Sequence, residues 1–314
     1  MNGGDDKRSQ GLQAWRFDTN HNRMIDFQRR GGDPATEGEV KLAFFGSSAF
    51  RITAPSGLTV MVDPWRNLPT GAWDWYFHDF PVTEADIGVS THAHFDHDAL
   101  HRLDANVLLD RPVGTFQVAD VRITGIADKH AIDASNAIYD MHLINSVFGG
   151  QKLDPPDNCR SFDNCLVLIE TGGLRFLHWG DNRHDAPDEI WHQLGEIDVA
   201  LLPIDDSQHV MGYAMSEAII SRLKPKIVVP HHYYTWHIVQ RGSTLLPATK
   251  WLAGQERVRN LTAFETIYST SNLPADTTVD HFGDNVAFDV ERWHANHGKI
   301  IDLSGVKRGP ATQR

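Results

Sequence analysis

Cysteine is scarce in this chain: Cys159 and Cys165 are the only two in 314 residues. A disulfide framework is therefore excluded as the source of the fold. The pair flanks an Asn/Asp-rich stretch, so two free thiols are expected in a reducing compartment and a local disulfide if the protein is exported. Positive charge is also short, with 29 Lys and Arg against 41 Asp and Glu, a formal net charge of −12. That balance disfavours a broad phosphate-tracking surface, and no nucleic-acid partner is expected. No apolar run approaches the roughly 20 residues that cross a bilayer, so no membrane span is expected. The opening MNGGDDKRSQ lacks the apolar stretch of a secretory signal. A cytoplasmic protein is expected, with an exported mature form as the alternative. What remains is an ordinary globular composition, 41% hydrophobic and 22% charged, long enough to bury a full α/β core.

Residues 1–38 are polar and carry Gly3-Gly4, Gly31-Gly32 and Pro34; they read as an N-terminal extension, with 39–314 as a single domain. Strands are expected at Val40–Gly46, Phe50–Thr53, Leu58–Val62 and Asp86–Ser90. Further strands fit Val107–Leu109, Thr115–Ala119, Val121–Ile126, Cys165–Ile169 and Arg175–His178. The rhythm then changes to a helix at Pro187–Leu194, a strand at Asp198–Leu202, a helix at Met215–Leu223 and a strand at Lys226–Val229. Many strands followed by strand–helix alternation predict two sheets packed face to face with helices outside. The stretch 133–164 is long and largely polar, and reads as an insertion at the entrance of a site.

Histidine is abundant, with 18 in the chain, and its placement is informative. In THAHFDHD, four side chains that bind metals fall within six positions: His92, His94, Asp96 and His97. In extended chain His92, His94 and Asp96 would share one face, while His97 would turn away at the start of a helix. This divides the ligands between two neighbouring ions, His92 and His94 for one, Asp96 and His97 for the other. All are nitrogen and oxygen donors, which suits zinc or manganese, with iron a third choice.

His-x-His-x-Asp-His after a strand resembles the signature of metallo-β-lactamase-fold hydrolases, whose αββα sandwich would be the fold here. The opening hairpin GSSAFRITAPSGLTVMVDPW resembles the branch that includes L-ascorbate-6-phosphate lactonase-like proteins. The resemblance implies His130 in GIADKHA as a third histidine for the first metal, Asp181 in LHWGD as the bridging carboxylate, and His232 in VVPHHY as the last histidine. It implies Asp63 as a carboxylate that orients a ligand, with His178, His231 and Tyr233 as supporting or pocket residues. Two divalent ions about 3.5–4 Å apart would activate water and polarise the scissile bond, with Asp96 and Asp181 as the catalytic carboxylates.

A small-molecule lactone, ester or amide is the substrate this resemblance implies. A phosphodiester or a β-lactam is the alternative, and a metal-binding protein without activity is the non-enzymatic one. Flavodiiron proteins share the fold, but His94 stands where they carry Glu. Nine Trp and 15 Phe would serve an oligomer interface or a core equally well, so a homo-oligomer stays open. The stretch from Phe264 onward matches no motif.

Overall fold

The computed structural model describes residues 23–68, 74–131, 162–206 and 210–297. Most of the expected insertion, and Cys159 with it, lies outside the described residues. Cys165 is buried, and burial pushes its thiol up to about 11.

Among the described residues, two mixed sheets form the fold. The first takes β1 (Val40–Gly46), β2 (Ala49–Thr53), β3 (Thr59–Val62), β4 (Thr83–Ser90), β5 (Leu103–Asp110) and β13 (Glu265–Tyr268), in the order β13-β1-β2-β3-β4-β5. Its β13, β1, β2 and β3 are antiparallel neighbours, whereas β3, β4 and β5 run parallel. The second has eight strands. They are β6 (Gly114–Val118), β7 (Val121–Asp128), β8 (Asn164–Thr171), β9 (Leu174–His178), β10 (Val199–Pro203), β11 (Ile227–His231), β12 (Val258–Asn260) and β14 (Thr278–His281). Their order is β12-β14-β11-β10-β9-β8-β7-β6, parallel from β9 to β12 and antiparallel from β6 to β9.

The burial pattern follows from the sequence. VALLP in β10 and IVVPH in β11 are buried throughout, as central parallel strands covered on both faces must be. LDANVLLD in β5 alternates half-buried and exposed, the pattern of an edge strand with one wet face. Phe50 on β2 sets its ring edge against His178 on β9 and His231 on β11, at 6.0 and 6.1 Å between centroids. The sheets therefore meet through β2, β9 and β11, beneath the strand ends that carry the site.

The expected strands are present, four of them (β4, β5, β7 and β8) two to five residues longer than the pattern suggested, and the two expected helices occupy Asp188–Leu194 and Tyr213–Leu223. The polar N-terminal stretch contributes a helix, Arg23–Arg30, whose Met24 and Phe27 are buried at i, i+3 spacing. The C-terminal stretch without a motif completes both sheets: β13 adds to β1, and β14 enters between β11 and β12. Trp293 of the last helix packs edge-on against Trp65 at 5.6 Å.

Two local expectations fail. No helix begins at His97, and 92–97 is not extended. The segment is a tight turn closed by His97 N–H donating to the His94 carbonyl at 3.0 Å. Ser90 Oγ donates to the His92 carbonyl at 2.8 Å. Neighbouring backbone groups are tied to the chain after β3: Arg66 N–H to Phe95 O, and Ala99 N–H to Pro64 O. Those long-range bonds take the partners that an α-helix would use, and only a short 3₁₀ turn, Leu100–Arg102, follows.

Candidate metal centre

Each candidate ligand, and the supporting Asp63, stands just past the end of a strand. Asp63 follows β3, the 92–97 turn follows β4, His130 follows β7, Asp181 follows β9, and His232 follows β11. This is the crevice at the carboxyl ends of parallel strands where open α/β sheets build their sites. The strands stop sharply there. Asp63 and His232 take left-handed backbone at φ 52° and 59°, and Gly180 does so at φ 56°. Gly180 has a steric reason as well, since an added Cβ would lie 2.7 Å from Thr91 Oγ1.

Two groups of four ligand atoms result, each lying within 4.8 Å of one another. They are His92, His94, His130 and Asp181, and Asp96, His97, Asp181 and His232. Asp181 belongs to both. Its Oδ2 stands 3.6 Å from His92 Nε2, 3.4 Å from His130 Nε2 and 3.6 Å from His232 Nε2, and its Oδ1 stands 3.3 Å from His97 Nε2. Every member is buried except His94, which is exposed. The Nε2 atoms of His92 and His97 and both oxygens of Asp181 make no well-formed hydrogen bond among the described residues. Buried polar atoms left so cost about 1–3 kcal/mol each. Four of them converging is what a cation-binding cradle of nitrogen and oxygen donors requires.

Four of the five candidate rings, those of His92, His97, His130 and His232, have a partner on their far side. His97 Nδ1–H donates to Asp63 Oδ2 at 2.7 Å. The same oxygen receives the Thr91 hydroxyl at 2.7 Å, and Thr91 Oγ1 in turn accepts from His92 Nδ1–H at 3.0 Å. His130 Nδ1–H donates to the Ala131 carbonyl. His232 Nδ1 faces Asp205 Oδ2 at 3.3 Å. For His92, His97 and His130 the Nδ1 is taken up behind the ring, which leaves Nε2 for the centre, whereas His232 has Asp205 behind it and meets Asp96 Oδ2 through Nε2 at 3.1 Å.

The electrostatics divide the histidines. Burial works to lower His97, but Asp181, Asp96 and Asp63 outweigh it and hold it well above the ordinary value. Burial likewise opposes His232, which Asp181, Asp205 and Asp96 push up to about 10. His130 is raised against its burial by Asp181. His92 is held well below the usual range by burial and by neighbouring His97. Burial of Asp181 favours its acid form, yet His97, His232 and His130 keep it well below the usual carboxylate range.

The remaining sequence candidates sit behind the centre. His178 donates from Nε2 to the Ser48 carbonyl at 2.8 Å and accepts from Gly180 N–H at 3.0 Å. His231 pairs with Ser48 Oγ at 3.1 Å and stacks on His178 at 4.8 Å. Both are lowered by burial. Tyr233 stacks on Phe44 and donates its hydroxyl to the Gly283 carbonyl at 2.8 Å, so that hydroxyl is committed to holding a loop. Sequence reasoning missed Asp205 and Thr91. Thr91 sits inside the motif as a donor one position before His92. Asp205 lies in the PIDD that ends a buried strand, and its partner His232 stands at the end of the neighbouring strand, a relationship that no local pattern in the sequence shows.

A family model described as a β-lactamase superfamily domain matches residues 41–232. A UPF0173 metal-dependent hydrolase from Desulforamulus reducens is 31% identical over 212 residues, covering 65% of this chain and 89% of its own length. The chain belongs to this family. A second member, from Myxococcus xanthus, is 26% identical over 219 residues, 66% of this chain and 75% of its own. A Thermotoga maritima crystal structure from the metallo-β-lactamase superfamily superposes with a TM-score of 0.53, at 23% identity, over 77% of this chain and 97% of its own. The matched range runs from β1 to His232 and so contains every candidate ligand.

Proposed function

We propose that this protein hydrolyses a lactone, or a similar small ester or amide, with two divalent cations held by His92, His94, His130 and Asp181 and by Asp96, His97, Asp181 and His232. The observation that carries the reading is the pair of four-atom groups joined through one buried carboxylate. When bound, two such cations lower the pKa of the water they hold to about 7 and polarise the oxygen of the scissile bond. Zinc, manganese or iron would each suit this donor set.

The chain's own residues supply the rest. Asp181 presents both oxygens, one toward His97 and one toward His92 and His130, and so sets the spacing of the two positions. Asp96 Oδ2 lies 3.1 Å from His232 Nε2, so this carboxylate would stand at the centre as a proton acceptor. Asp63 and Asp205 hold the rings of His97 and His232 from behind. His94, exposed, faces the side from which a small molecule arrives. The lactone assignment is supported by the resemblance of the opening hairpin, Gly46 to Trp65, to the lactonase-like branch. The single-domain reading is supported by one apolar cluster that runs from Met24 to Trp293 among the described residues, so the helix Arg23–Arg30 of the N-terminal stretch packs onto the same core. No helix among the described residues is long and apolar enough to cross a membrane.

A proton-release screen of the metal-loaded protein tests the proposal, with His94→Ala as the blank. Sugar lactones, acyl lactones, phosphodiesters, β-lactams and small amides are compared at matched concentration. Turnover of lactones or related carbonyl substrates, lost in His94→Ala, is expected. Turnover confined to phosphodiesters would overturn the substrate class, and equal turnover in His94→Ala would overturn the site.

A further inference from the structure

The two halves of the centre are built unequally, and the inequality has a direction. The Asp96, His97, Asp181 and His232 group offers two carboxylates and two imidazoles, and all four residues are buried. The His92, His94, His130 and Asp181 group offers one carboxylate and three imidazoles, with His94 exposed and His130 9% exposed. The first group thus brings one more negative charge to a divalent ion, in a place with less water to screen it.

The support behind the rings differs in the same sense. His97 Nδ1 donates to the Asp63 carboxylate at 2.7 Å, and His232 Nδ1 faces the Asp205 carboxylate at 3.3 Å. Asp63 and Asp205 are themselves fully buried. A carboxylate behind an imidazole makes its other nitrogen a stronger donor and locks the ring's orientation. In the other group, His92 Nδ1 meets a hydroxyl, Thr91 Oγ1, at 3.0 Å, and His130 Nδ1 meets a backbone carbonyl. Neither partner carries a formal charge.

We propose that the two positions load in order: the cation between Asp96, His97, Asp181 and His232 binds first and more tightly, and the one beside exposed His94 binds second and exchanges. This rests on the two-cation reading of the site. It assigns Asp205 a positioning role, as the carboxylate that makes His232 a strong and fixed ligand. It also makes the one-cation protein a defined state, with its ion in the buried half.

Titration of chelated, dialysed full-length protein with zinc alone tests the order, read by calorimetry and by metal content after dialysis. Wild type is expected to show two steps at least tenfold apart in affinity. His94→Ala, at an exposed position, is expected to lose the weaker step and keep the tighter one. Asp205→Asn is expected to weaken the tighter step by about 10–100-fold and spare the weaker. If Asp205→Asn does not fold, His94→Ala alone decides. Loss of the tighter step in His94→Ala, or two steps of equal affinity in wild type, would overturn the order and leave the two-cation reading standing. Uptake of a single cation by wild type would refute both.

Discussion

Asp63 Oδ2 accepts the Nδ1 proton of His97 at 2.7 Å while its other oxygen takes the Thr91 backbone N–H, also at 2.7 Å. Thr91 Oγ1 then links the same carboxylate to His92. One buried acid at the end of β3 therefore sets the orientation of one candidate ligand in each of the two groups. Asp63→Asn keeps the size but places an NH₂ group where one of these protons is received. It should cut metal affinity by about 10–100-fold at both positions. Metal content after dialysis checks this, and full retention of two cations would remove Asp63 from the centre's support.

The adjacent histidines His231 and His232 separate cleanly by environment. His232 turns back at φ 59° and brings Nε2 to 3.1 Å from Asp96 Oδ2, whereas His231 points between the sheets at Ser48 and His178. His232→Ala should lower bound metal from two equivalents toward one and abolish hydrolysis. His231→Ala should keep both cations and lose roughly 2 kcal/mol of stability through the cavity and the unpaired Ser48. The reverse pattern in metal analysis would shift the ligand by one residue.

How much of this was legible in the sequence depends on how local each relationship is. The 92–97 motif was legible because four ligand-type side chains fall within six positions. Their geometry was not, since the turn is dictated by bonds from Phe95 and Ala99 to the chain after β3, and no pattern inside the motif reveals those. Asp205 was overlooked for the same reason: its role exists only once β10 and β11 lie side by side in register. The strands β13 and β14 are four residues each, ETIY and TVDH, too short to show a period. Their places come from the sheet edges that receive them. The buried parallel strands were the easiest to read, because VALLP and IVVPH leave little alternative to a covered sheet.

Gly180 is where the backbone itself is required. Its φ of 56° disfavours any side chain, and a Cβ would stand 2.7 Å from Thr91 Oγ1 and 2.8 Å from Thr91 Cβ. Gly180→Ala should cost about 2–3 kcal/mol and push Thr91 off Asp63, lowering metal content as well as the melting temperature. An alanine variant with wild-type stability and full metal content would show that the loop before Asp181 yields freely.

Tyr233 offers the converse test. With its hydroxyl given to the Gly283 carbonyl and its ring on Phe44, Tyr233→Phe should cost on the order of 1 kcal/mol and leave kcat, KM and metal content unchanged. A fall in kcat of tenfold or more, with stability intact, would return this phenol to the reaction.

The opposed histidine shifts give the chelated protein a stability maximum near neutrality. His97, His130 and His232 are raised. Their stabilisation is complete below the unfolded value of about 6.5 and is lost as pH climbs, in the case of His232 toward about 10. His92, His178 and His231 are lowered, so theirs is complete above about 6.5 and is lost as pH falls. Asp181, lowered well below its usual range, adds no slope in this window. The melting temperature of chelated protein should therefore peak near pH 6.5 and decline on both sides between pH 5 and 8.5. Bound cations need deprotonated rings, so their stabilisation grows with pH, and the maximum should move upward on loading. Melting curves with and without chelator decide it. A chelated protein whose melting temperature rises steadily from pH 6.5 to 8.5 would mean that the carboxylates do not hold protons on His97 and His232.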